Sequence, residues 1–324
     1  MAGSKPLLAL SNFFTAVVEG AMMIAIDPFR PQIEAEVGPI RAVSAITKGF
    51  SFEKKLKLTS DRGDFLARLS SMEAYVAKAQ EFALIQQLFA HGVHCNQPIL
   101  ILQAEASASV CTLYRYLTGV DAEENINALP VATQYEIGVA AGQDLRRINS
   151  LSRDTNTWKE RKWQKHERYV KRYFQQAYRL KNDEQLLRFI ETHYDPTEAA
   201  QDHLQHDDFH LGNIVLNGQR YGGILDFERY DWGDPLHEFV KLEWFTWPVS
   251  EAFARGQVVG YFGKRSLSGA ESLQIAVYIA MSLLSTLVWT LEVHPHTWLE
   301  IEKQILAIVA RYDNFARIRP SWTT

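Results

Sequence analysis

The chain has 324 residues, 47% of them hydrophobic and 22% charged, with a formal net charge of −4. This composition excludes disorder, a fibrous repeat and a basic field that would recruit nucleic acid or anionic lipid, and the length leaves room for one large domain or two lobes. Two cysteines, Cys95 and Cys111, are too few for a disulfide framework and lack metal-ligand spacing, so two small core residues in a reducing, cytoplasmic setting are expected.

In chain order, the apolar stretch "PLLALSNFFTAVVEGAMMIAI" (6–26) comes first. Asn12 and Glu19 interrupt it, only Lys5 precedes it and no small-residue cleavage site follows, so it reads as peripheral, within an N-terminal extension over 1–34, and not as a membrane span. From 41 to 69 the pattern is strand-like, "RAVSAIT", "FEKKLKLTS" and "DFLARLS", punctuated by Gly49 and the "SDRGD" turn. A long helix follows over 70–93, with a Ser start and a Gly92 stop, and then two more strands over 97–105 and 110–117. On the helix, Glu81 shares a face with Ala74, Ala77, Leu84, Ile85 and Leu88. A carboxylate on an apolar stripe needs a partner, and Arg68 on the preceding strand is the expected one.

Beyond 117–121 the character changes. Helical patterns cover 131–150, 156–181, 183–193, 235–247, 249–262, 267–292 and 295–311, broken by a β-like stretch at 212–226. The fold class is therefore α+β and bilobal: an antiparallel sheet lobe with one main helix over 35–117, then a larger, mostly helical lobe over 118–324 carrying a short hairpin.

The hairpin gathers the chemistry. Asn217-Gly218 is a turn signal between Ile214–Leu216 and Tyr221–Leu225. With a loop at 217–220, Leu216 faces Tyr221 and Asn213 faces Ile224, which sets Asp226 on the same sheet face as Asn213. Asp208, just upstream, can fold over that end. Two hard oxygen ligands and a further carboxylate suit Mg²⁺, which keeps its other positions for water and phosphate. His203, His206 and His210 also keep the spacing of a zinc-binding helix face, but Gly212 and the adjoining strand imply an irregular loop.

"HDDFHLGN" (206–213), "ILDFE" (224–228) and "GDP" (233–235) resemble the core of the aminoglycoside phosphotransferase family, whose usual form is H-G-D-F-H-x-x-N, then I-D-F/W-E and G-D-P. The resemblance implies a protein-kinase-like fold, Asp208 as the catalytic residue, Asn213 and Asp226 as metal ligands, and ATP with Mg²⁺. His206 and His210 would brace the loop, and Asp234 would anchor the start of the next helix. Asp207 stands where the family has glycine, and it is expected to point away from Asp208. In the first lobe, "GFSFEKK" (49–55) resembles a phosphate-covering turn, with Gly49 and Ser51 in it. Arg68 takes the place of the usual lysine paired with Glu81, and Tyr116 belongs to a segment resembling the adenine-binding hinge. The implied activity is transfer of a phosphoryl group to a hydroxyl of an aminoglycoside-like acceptor. Glu228, Asp231, Glu238 and Trp244 are expected near that acceptor. A kinase for choline, homoserine or an amino sugar, and a nucleotide binder with weak catalysis, are the alternatives. A monomer or homodimer, with no nucleic-acid or membrane partner, completes the expectation.

Overall fold

The computed structural model describes residues 25–47, 53–198, 200–263, 265–319 and 322. The chain divides into two compact units, residues 1–91 with 95–118, and residues 92–94 with 119–324.

The first unit is an antiparallel sheet of strands β1 (Ile40–Ile46), β2 (Lys54–Ser60), β3 (Gly63–Ser71), β4 (Pro98–Ala104) and β5 (Ser109–Arg115) in the order β1-β2-β3-β5-β4. Alternation along β3 sends Phe65, Ala67 and Leu69 to one face and Arg68 to the other. The first face is covered by a one-turn helix at Asp27–Phe29 and by α1 (Arg30–Val37), which contribute Ile26, Phe29, Ile33 and Val37 to the same core as Leu56, Leu58 and Phe65. Residues 25–34 thus pack into the sheet unit and are not a loose extension, because their apolar residues recur at helical spacing. The second face receives α2 (Tyr75–Ala90), with Phe82 5.5 Å from the Tyr114 ring. Gly49 and Ser51 lie outside the described residues.

The second unit is helical, with two small β elements. Strand β6 (Val120–Asp121) pairs with β8 (Ile214–Asn217), which forms the hairpin with β9 (Arg220–Ile224). Strands β7 (His203–Gln205) and β10 (Asp231–Gly233) make a separate ribbon. At two or three residues each, β6, β7 and β10 are too short to leave a periodic signal. The helices are α3 (Ala122–Asn125), α4 (Val131–Asn149), α5 (Trp158–Tyr173), α6 (Asp183–His193), α7 (Phe239–Lys241), α8 (Glu251–Phe262), α9 (Gly269–Val293) and α10 (Trp298–Arg311). The helix expected over 156–181 ends at Tyr173, whose hydroxyl accepts from the Leu180 amide and donates to Asp183, so a side chain satisfies the turn. Helix α9 is long and apolar enough to cross a membrane, but 72% of its most apolar window is buried within the protein, where Ile275–Ala280 form the centre of the core. Cys95 and Cys111 are both buried, and they form no disulfide.

Helices α4 and α8 meet backbone to backbone. Gly138 and Gly142 on α4 face Gly256 and Gly260 on α8. A Cβ at Gly142 would stand 2.0 Å from the Gln257 carbonyl oxygen, and one at Gly260 would stand 2.0 Å from that of Val139. Glycine at four-residue spacing on both helices permits this approach. Asn149, at the end of α4, then donates to the Leu204 carbonyl at 2.6 Å, fixing the strand that leads into residues 206–213.

Candidate active site

Residues 206–213 form a loop braced from inside. His206 is fully buried; its Nε2 donates to the Leu225 carbonyl at 3.0 Å and its Nδ1 accepts from the Asp208 amide at 3.2 Å. Those bonds assign the neutral Nε2–H tautomer and tie the loop to the end of the hairpin. Beneath the loop, the buried Glu238 accepts from the amides of His206 and Asp207. Burial and the nearby Asp207 charge push its pKa up to about 8.

The hairpin register differs from expectation by one residue. Leu216 pairs with Tyr221 as the alternation requires, but a bulge at Gly222 makes Ile214, not Asn213, the partner of Ile224. Asn217 pairs with Arg220, so the turn has two residues, with Gly218 at φ 61°. Asn213 lies instead in a one-turn helix (Leu211–Asn213), and its carbonyl accepts from the Leu225 amide at 2.8 Å. Asp226 follows at once, with φ 63° and ψ 73°, a left-handed conformation that redirects its carboxylate after the strand.

Asp208 is the centre of this arrangement. Asn213 Nδ2 donates to its carbonyl at 2.9 Å and to its Oδ2 at 3.1 Å. Lys241, at the end of α7, reaches Oδ1 at 2.8 Å, and Arg229 Nη1 lies 3.7 Å from the same oxygen. His210 Nε2 is 3.7 Å from Oδ2, while its Nδ1 accepts from the Gly212 amide. Burial alone would raise the pKa of Asp208, but His210 and Lys241 hold it well below the usual carboxylate range. The group is an ionised acceptor of fixed orientation.

Two oxygen sites remain beside it. Asn213 spends its amide nitrogen on Asp208, which leaves Oδ1 for another partner. Among the described residues, the Asp226 carboxylate makes no hydrogen bond or ion pair. One amide oxygen and one carboxylate fit a hard divalent ion that retains several waters. Among the described residues, no group of three or more His, Cys, Asp or Glu is placed to hold a metal. His203 sits on β7, and His206 commits both ring nitrogens to the loop and hairpin, so the three histidines share no helix face.

Asp207 turns away from Asp208, at φ 56°. Its Oδ1 lies 3.1 Å from His237 Nδ1, and His237 Nε2 accepts from Lys162 Nζ at 2.7 Å. Despite its burial, Asp207 is held at about 2 by His237, Lys241 and Lys162. Burial pushes Lys162 down to about 8. Asp234 caps a one-turn helix (Pro235–Glu238) by accepting from the Leu236 amide at 2.9 Å, and it receives the Tyr278 hydroxyl at 2.8 Å.

The four expected acceptor contacts separate. Glu238 is 1% exposed and serves the loop from below; Trp244 is 4% exposed and donates its indole N–H to Ser282. Neither faces an acceptor. The cause is a π-helical turn (Leu242–Thr246) that winds Glu243 and Trp244 into the core, where Arg311, Tyr312 and Trp322 meet Glu243. Asp231 pairs with Arg161, and Glu228 is exposed in the turn after Asp226. In the first unit, Arg68 binds Glu81 at 2.8 Å and also Glu53, while Lys78 reaches both carboxylates. Tyr116 donates its amide to the Asp64 carbonyl, with Lys57 4.8 Å from its ring centre. Lys241, His237 and Lys162 gave no signal in the sequence, because each reads there as an ordinary helix residue.

His166, His206 and His237 are buried, and burial pushes each down to about 4. The unfolded chain binds protons near pH 6.5 and the folded chain only near 4, so stability is full above pH 6.5 and falls as the pH drops through that window. Each histidine accounts for up to roughly 3 kcal/mol of that loss. We expect the unfolding temperature to fall steeply between pH 6.5 and 4. His166, whose Nδ1 has no hydrogen-bond partner among the described residues, is the one to replace: His166→Phe flattens the slope if burial causes it, and an unchanged slope excludes His166.

A family model described as the phosphotransferase enzyme family matches residues 42–270. No curated protein matches the chain significantly. Several solved structures share the fold. Wild-type aminoglycoside 2′-phosphotransferase-IIIa in complex with GDP is 16% identical at a TM-score of 0.66, covering 92% of this chain and 99% of its own. A thermostable mutant of aminoglycoside phosphotransferase APH(4)-Ia, in a ternary complex with ADP and hygromycin B, is 15% identical at 0.59, covering 87% and 97%. A putative aminoglycoside phosphotransferase from Ralstonia eutropha is 14% identical at 0.62, covering 90% and 96%.

Proposed function

The chain belongs to the phosphotransferase enzyme family, and on that premise we propose that it transfers the terminal phosphoryl group of ATP, with Mg²⁺, to a hydroxyl of a small molecule. The observation that carries this reading is Asp208, an ionised carboxylate whose oxygens are oriented by Asn213 and Lys241 beside two uncommitted oxygen sites.

Phosphoryl transfer asks a protein mainly for position and charge. Asp208 orients the acceptor hydroxyl and takes its proton as the new bond forms. Lys241 keeps that carboxylate ionised and, at 2.8 Å from it, can also face the charge of the transferring group. Asn213 Oδ1 and Asp226 would hold Mg²⁺, which when bound neutralises phosphate charge. Arg68, fixed by Glu81 and Glu53, supplies the cation for the nucleotide's phosphates. The related folds are known with GDP and with ADP, which supports a purine nucleotide and keeps GTP in the test. They also support a small-molecule acceptor, hygromycin B being one of theirs.

Purified protein supplied with ATP or GTP, with and without Mg²⁺, should bind nucleotide and release phosphate slowly to water. An acceptor panel of aminoglycosides, choline, homoserine and amino sugars should then accelerate nucleotide consumption. Nucleotide binding with no phosphate release under any condition would instead select a kinase-like binding protein.

A further inference from the structure

The side chains around Asp208 also speak to the acceptor's charge, given the reading of Asp208 as the residue that meets the hydroxyl. We propose that the acceptor carries an anionic group, a carboxylate or a phosphate, received by Lys241 and Arg229.

Two full cations converge on one carboxylate oxygen: Lys241 at 2.8 Å and Arg229 at 3.7 Å from Asp208 Oδ1. One carboxylate carries one negative charge, so the pair leaves positive charge on the acceptor side. Arg229 is 64% exposed and open to a ligand. Behind them, Lys162 adds a third cation, facing His237 and the Asp207 carboxylate.

A polycationic acceptor needs free acids; Asp226 is assigned to Mg²⁺ in the reading above, and three further acids are engaged. Asp231 is held by Arg161. Glu243 is closed in by Arg311, Tyr312 and Trp322. Glu238 is buried under the loop. An ammonium approaching Asp208 would have to displace Lys241 and stand beside Arg229, whereas a carboxylate or phosphate would find both already in place. Phe245, 39% exposed and lying against His210 and Lys241, offers an apolar surface for the acceptor's carbon skeleton.

The reaction is otherwise the ordinary one. The acceptor oxygen bonds to the γ-phosphorus as the bond from that phosphorus to the β,γ-bridging oxygen breaks. The hydroxyl proton passes to Asp208, and the nucleoside diphosphate leaves with the electron pair.

The test uses the full chain with Mg²⁺ and nucleotide, and three sets of probes. Glycerate and gluconate represent carboxylates, glycerol 3-phosphate and glucose 1-phosphate represent phosphates, and kanamycin and choline represent cations. The expected result is phosphorylation of at least one anionic probe, or competitive slowing of nucleotide hydrolysis by one, and the arm that responds tells carboxylate from phosphate. In Arg229→Ala the apparent KM or inhibition constant for that probe should rise about tenfold or more, as for loss of a charged hydrogen bond. Efficient turnover of a cationic probe overturns the proposal. So does nucleotide hydrolysis that no anionic probe slows or diverts. Absence of both nucleotide binding and hydrolysis, seen before any acceptor is added, counts against the phosphotransfer reading itself.

Discussion

Replacement of Asp208 by asparagine is expected to lower kcat by roughly 10²- to 10⁴-fold, the range for a residue that accepts a proton in the transition state. Asparagine keeps the shape of the side chain, and its Oδ1 can still receive Lys241 or Asn213, so the loop keeps its bracing by His206 and Glu238. What disappears is the negative charge. The KM for nucleotide should therefore change far less than kcat, because the two oxygen sites proposed for Mg²⁺ keep their side chains. Steady-state kinetics with circular dichroism as a folding control decides the matter. A variant that folds and retains more than a tenth of wild-type kcat would remove Asp208 from the chemistry.

The second large effect lies away from the site. In Gly142→Ala and Gly260→Ala, each new methyl carbon would stand 2.0 Å from a backbone carbonyl oxygen of the opposing helix. No rotamer relieves that contact, since its partner is main chain. The two helices must move apart, losing dispersion and the close carbonyl contacts along the seam. We expect a loss of about 3 kcal/mol or more for either change, at the upper end for overpacking, and failure to fold for the pair. Gly269→Ala is the control: a methyl there meets nothing within 4 Å, and the change should stay within about 0.5 kcal/mol. Urea denaturation midpoints measure all four proteins. A loss below about 1 kcal/mol for Gly142→Ala would mean that the helices are not so close. Because Asn149 at the end of α4 holds Leu204, the destabilised variants should also lose activity before they lose helix content.

The parts of this protein legible in the sequence are those whose partners are close along the chain or follow a strict period. Strand alternation sets Arg68 on the face of β3 that meets Glu81, and the helical period sets Glu81 opposite it. The loop carrying Asp208 and Asn213 is contiguous with its hairpin, so its pattern survives in one line of text. Lys241 reaches Asp208 only because the one-turn helix and α7 follow the Asp234 cap, and no local pattern announces that return. Glu238 and Trp244 misled because polar and aromatic residues after a turn read as surface: Glu238 is drawn under the loop by the amides of His206 and Asp207, and the π turn winds Trp244 inward. The glycine pairs of α4 and α8 are visible in the sequence, but nothing near either segment names the other as its partner.

Asp207 joins a backbone demand to a buried charge. At φ 56° the position admits few residues besides glycine, asparagine and aspartate. The motif that this chain resembles has glycine here; this chain carries aspartate, and His237 and Lys162 line up behind its charge. Asp207→Gly is therefore expected to be harmful: it would leave Lys162 and His237 facing each other without their anion. The three residues act as one unit, and a change at Asp207 should be tolerated only with matching changes at His237 and Lys162.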